Sequence, residues 1–79
     1  MKHTLSNGGT LEDYRSLQCG IIVKGCNFPN CRIEYASGLG IYIYVDPNYL
    51  QNIEDLDSLV YDLQQARVLL IEINELLNN

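Results

Sequence analysis

The chain has 79 residues, enough for one domain, and 47% of them are hydrophobic, which excludes a disordered acidic tail. Ten acidic and five basic side chains give a net charge of −5. The basic residues Lys2, Arg15, Lys24, Arg32 and Arg67 are scattered, so neither a phosphate backbone nor an anionic membrane is the expected partner.

Residues 1–9 contain no apolar run of the kind a secretory leader needs, and no stretch reaches the ~18 apolar residues of a membrane span. The expected setting is therefore the cytoplasm, where Cys19, Cys26 and Cys31 would be free thiols. Ser6-Asn7-Gly8-Gly9 reads as a turn, and the nine residues before Thr10 are expected to be flexible.

Thr10-Leu11-Glu12-Asp13 has the form of a capping box, with Leu11, Tyr14 and Leu17 on one apolar side. A short helix within 10–18 is expected, with a strand as the alternative. Residues 19–45 read as a three-stranded antiparallel meander. Cys19–Lys24 is rich in β-branched residues, Cys31–Ala36 alternates in polarity, and Ile41–Val45 is the strongest strand. Gly25–Asn30 and Ser37-Gly38 supply the turns, and Asp46-Pro47-Asn48 ends the third strand. A period of two puts Ile21, Val23, Cys31, Ile33, Tyr35, Ile41, Ile43 and Val45 on one face. Ile22, Lys24, Arg32, Glu34, Tyr42 and Tyr44 fall on the other.

Residues 50–77 read as one long helix, with Glu54, Asp55 and Asp57 near its positive end. Leu56, Leu59, Leu63, Ala66, Leu70, Ile73 and Leu77 alternate in steps of three and four, the pattern of a buried seam. Val68-Leu69-Leu70-Ile71 covers nearly the whole circumference, more than one small sheet can bury. Either the N-terminal segment or a second copy must cover the surplus. A core of this size is marginal alone, so a homodimer through Leu63, Val68, Leu69, Leu70 and Ile73 is expected. The fold class is α+β, a three-stranded meander packed by the C-terminal helix.

Few residues suggest chemistry. Cys26 and Cys31, with Cys19 and His3, could form a metal knuckle, but the four-residue spacing is wide and no second ligand pair follows. They are read as structural thiols, with no metal and no cofactor. His3 is the only histidine, and nothing orients it as a base. Ser37-Gly38-Leu39-Gly40 precedes a strand, whereas a phosphate-cradling loop needs a helix N-terminus. No catalytic set emerges, so the chain is read as non-enzymatic.

Two surfaces point instead to a protein partner. Tyr42 and Tyr44 share a sheet face with Arg32 and Glu34, and tyrosine and arginine are enriched at interfaces. Asp55 and Asp62 belong to an acidic helix face suited to a basic surface on another protein. The expected function is a small acidic binding protein, by analogy of profile a phage or mobile-element inhibitor of host machinery such as a nuclease complex. The alternatives are a small-molecule or metal-binding protein with its site at the Cys26–Cys31 hairpin or a dimer cleft, and a structural assembly subunit.

Overall fold

The computed structural model describes residues 1–45 and 50–78. The expected strand end at Asp46-Pro47-Asn48 lies outside them. The class is α+β. The chain forms strands β1 (Lys2–Thr4) and β2 (Thr10–Tyr14), a one-turn 3-10 helix (Arg15–Leu17), strands β3 (Gly20–Lys24), β4 (Cys31–Ala36) and β5 (Gly40–Val45), and helix α1 (Ile53–Leu77). β1, β2 and β3 form one antiparallel sheet in chain order, and β4 and β5 form an antiparallel hairpin of their own. The meander expected over 19–45 is thus divided. Its first strand belongs to the N-terminal sheet, although β3 still packs beside β4.

The N-terminal third departs most from expectation. Residues 10–14 are a strand, and residues 1–5 are tied down. β2 pairs on both edges, with Leu11 opposite His3 on one side and Val23 on the other. Leu11 is fully buried, whereas Leu17, assigned to the same apolar side of a helix, is 69% exposed. Sheet pairing and the burial of one residue therefore outweigh a three-residue helical pattern. Asp13, read as the reaching half of a capping box, instead forms an Asx turn. Its Oδ1 accepts from the Arg15 backbone N–H at 3.0 Å and closes the strand.

The first residues are held at both ends of their hairpin. Met1 donates its amino group to the Asp13 carbonyl at 2.9 Å, and the Asp13 N–H donates back to the Met1 carbonyl at 2.8 Å. Leu5 is buried in the core. Ser6 donates from its backbone N–H and its hydroxyl to the Glu72 carboxylate, the hydroxyl bond measuring 2.7 Å. Gly9 passes against Gly25 so closely that a Cβ on Gly9 would lie 2.8 Å from the Lys24 carbonyl oxygen. Only a residue without a side chain fits there.

Helix α1 starts at Asn52, whose side chain accepts from the Asp55 N–H at 2.9 Å. At the far end the Arg15 guanidinium donates to the Leu77 carbonyl at 3.0 Å, placing positive charge at the negative helix terminus. The buried side chains of the helix are Leu59, Asp62, Ala66, Leu69 and Ile73. Compared with the expected seam, the helix is rotated by about one position. Leu63 and Leu70 are half-buried at its flank, Leu56 is 45% exposed, and Asp62 and Leu69 occupy the centre. The cause is twofold. The helix packs into one core with residues of both sheets, among them Leu5, Leu11, Ile21 and Ile33, which turns its buried line towards Asp62 and Leu69. In addition, Asn30 supplies the hydrogen bonds that let an aspartate go inside.

The rotation moves the expected oligomer contacts. Leu69 and Ile73, 3% and 0% exposed, are covered by the chain's own sheets and cannot meet a second copy. The N-terminal segment thus supplies part of the cover that the surplus apolar side required. Val68 remains 58% exposed.

Candidate functional site

On β4 and β5 the period-two face assignment is what the strands show, whereas Ile22 and Lys24, expected on the same face as Arg32 and Tyr44, belong to β3 in the other sheet. On β4 and β5 the inward residues Cys31 and Ile33 are buried, and Ile41, Ile43 and Val45 pack against the core. Arg32, Glu34, Tyr42 and Tyr44 therefore emerge together on the opposite face. The register sets Arg32 across from Tyr44 and Glu34 across from Tyr42.

These four side chains form one interacting cluster. The Arg32 guanidinium carbon lies 4.4 Å from the centre of the Tyr44 ring, in cation–π geometry. Arg32 Nε is 3.0 Å from Glu34 Oε1. The Glu34 carboxylate, through its hydrogen bond and its charge, pushes the Arg32 pKa up. Stacking and ion pairing favour one orientation of a long side chain, which lowers the entropy lost when a partner docks. The Arg32 side chain is 49% exposed and Tyr44 is 41% exposed, so the ordered pair remains available.

Beside the pair lies an open cleft of about 430 Å³, with Arg32 and Tyr44 on one side and the loop Asn27–Asn30 on the other. The loop is fixed from three directions. The Phe28 N–H donates to the Cys31 carbonyl at 2.8 Å, and the Ile33 N–H to the Cys26 carbonyl at 3.0 Å. Asn30 donates its backbone N–H and its side-chain Nδ2 to Asp62 Oδ2 at 3.0 and 2.8 Å. Asn27, Phe28 and Pro29 are wall residues that sequence reasoning read only as a turn. The turn composition was visible, but its position against Tyr44 depends on long-range anchoring by Asp62.

The two helix acids assigned to a partner surface are placed differently. Asp62 is 5% exposed and turned inward onto Asn30, so its carboxyl group anchors the loop and faces no partner. Asp55 is half-buried at the helix start, where its Oδ2 accepts from the Gln51 N–H at 3.2 Å. It shares a second recess with Gln51, Pro29 and Asn30, on the far side of the same loop.

The cysteines are separated by environment. Cys26 and Cys31 are buried free thiols, while Cys19 is exposed with its Sγ 3.3 Å from the Leu17 carbonyl oxygen. Burial pushes the Cys26 and Cys31 thiols up, helped by the negative charge of Glu72 and Asp62 respectively. His3 lies on β1, opposite Leu11. Among the described residues, no three His, Cys, Asp or Glu side chains converge as metal ligands. Among the described residues, no helix is long and apolar enough to cross a membrane. No protein-family model matches the chain, and no curated protein or solved structure does either.

Proposed function

We propose that this protein is a non-enzymatic binding protein whose outer β4–β5 face docks on another protein. The observation that carries the reading is the preordered Arg32–Tyr44 stack beside the anchored Asn27–Asn30 loop. A binding surface gains most from aromatic and arginine anchors whose rotamers are fixed before contact. Tyr42 and Glu34 extend the surface along the strands, and Phe28 and Pro29 supply an apolar rim.

The ion pair between Arg32 and Glu34 makes the centre of this face nearly neutral. The surplus negative charge lies on exposed helix residues such as Glu54, Asp57 and Glu75. A partner with basic groups around an apolar or hydrogen-bonding centre fits this distribution, since peripheral charges mainly steer encounter. Occupation of such a surface on a larger machine is the inhibitor role suggested by small size and acidity.

Affinity capture with the full chain tests the reading. Tyr44→Ala and Arg32→Ala should each abolish recovery of a stoichiometric protein that the wild type retains. Ile22→Ala, exposed on β3, should not. Equal recovery by all four proteins would move the site off this face.

A further inference from the structure

Helix α1 carries a second apolar stripe that the fold covers only in part, at Leu63 and Leu70. Ile53, Leu56, Val60, Leu63, Arg67 and Leu70 recur in alternating steps of three and four, the a and d positions of a heptad. This is a different line from the buried one through Leu59, Ala66 and Ile73. Ile53 is 70% exposed, Leu56 45% and Val60 44%, while Leu63 and Leu70 are half-buried. On the opposite flank Glu72 is bound to Ser6, and Val68, still exposed, lines an open recess with Gln65 and Phe28. None of the first six helical residues, Ile53–Ser58, is buried, so the N-terminal end of the stripe stands clear of the core.

We propose that this stripe pairs with the same stripe of a second copy of the chain, antiparallel, about a two-fold axis passing between positions 61 and 62. The stripe is self-complementary in that register. Ile53 meets Leu70 of the other copy, Val60 meets Leu63, and Leu56 meets Arg67. Each contact occurs twice, as a two-fold interface requires.

Charge selects this pairing. Arg67 is the only charged residue in the stripe, and it would be costly to bury unpaired. Among the described residues it forms no ion pair, and its side chain is exposed. The antiparallel register brings it beside Asp57 of the second copy, an exposed acid next to Leu56. A parallel pairing would instead stack Arg67 on its own copy. The overlap uses the helix from Ile53 to Leu70, about 27 Å at 1.5 Å per residue. The core-facing halves, from Leu59 onward, then lie staggered towards opposite ends. The dimer would present two Arg32–Tyr44 faces, which raises avidity for any partner with repeated sites.

Light scattering and sedimentation of the full chain between about 1 and 100 µM test this, a range spanning typical dimer affinities. The wild type should have a dimer mass at tens of micromolar. Val60→Glu should raise the dissociation constant at least about tenfold with an unchanged circular dichroism spectrum, since its side chain lies outside the core. Arg67→Glu and Asp57→Arg should each weaken the dimer several-fold, and the double variant should restore it to within about threefold of the wild type. A monomer at every concentration overturns the proposal. So does a dimer indifferent to Val60→Glu, or a double variant no tighter than either single one.

Discussion

Replacing Asp62 by alanine should destabilise the protein more than any change to an exposed helix acid. Asp62 is 5% exposed, and its Oδ2 accepts both the backbone N–H and the side-chain Nδ2 of Asn30. Hydrogen bonds to a charged acceptor contribute roughly 1.5–3 kcal/mol, and a buried donor left unpaired costs about 1–3 kcal/mol. Asn30 is only half-buried, so water can replace part of the loss. The expected cost is about 2–4 kcal/mol. At this size each kcal/mol lowers Tm by roughly 4–8 °C, giving a fall of about 8–32 °C. Urea or thermal unfolding followed by circular dichroism measures it. Asp62→Asn, which keeps a carbonyl acceptor, should lose less than Asp62→Ala. An Asp62→Ala protein that unfolds within about 0.5 kcal/mol of the wild type, the range of ordinary surface substitutions, would refute this role. Asp62 would then not be the anchor of the Asn27–Asn30 loop.

Two further outcomes follow from titrating groups. The Asp13 carboxyl is held down to about 2 by its hydrogen bonds with Arg15, chiefly the side-chain one. Its folded value lies below the unfolded one, so its contribution to stability is present above about 3.8 and is lost as pH falls through about 2. Carboxyl NMR should show that midpoint, with Arg15→Gln returning it towards 3.8; an unshifted midpoint in the wild type would remove the pair. Cys26 and Cys31 have thiols raised by burial, so the folded state holds their protons more tightly than the unfolded chain. That contribution is complete below the ordinary thiol value of 9.0 and fades as pH rises through the folded values. Under native conditions a thiol reagent should modify Cys19 well before the other two, and three equal rates would contradict the burial described above.

The strands of the second half could be read from residue order because their signals are local. Alternation in Cys31–Ala36 and Ile41–Val45, with Ser37-Gly38 between them, fixes both the hairpin and which side chains leave it together. The Arg32–Tyr44 pairing follows directly from that register. The long helix was equally clear, but its rotation was not. Leucine spacing favours Leu63 at the centre, whereas the folded chain places Asp62 there because Asn30, 32 positions away, satisfies it. The first third misled for the same reason. A threonine and an aspartate three apart can cap a helix, but Thr10 and Asp13 lie in a strand held by partners at Lys2–Thr4 and Gly20–Lys24. Ser6 and Glu72 meet across 66 positions, a contact no local pattern announces.

The central claim is that the outer β4–β5 face receives a partner protein. A photo-crosslinking amino acid placed at Tyr44 tests it most directly, with a second placed at Ile22 on the exposed surface of β3. The Tyr44 position should yield one discrete protein adduct that excess unmodified wild-type chain competes away, and the Ile22 position should yield none. Adducts at Ile22 of equal intensity and identity, or no competable adduct at Tyr44 in cells where capture recovers a partner, would contradict the assignment.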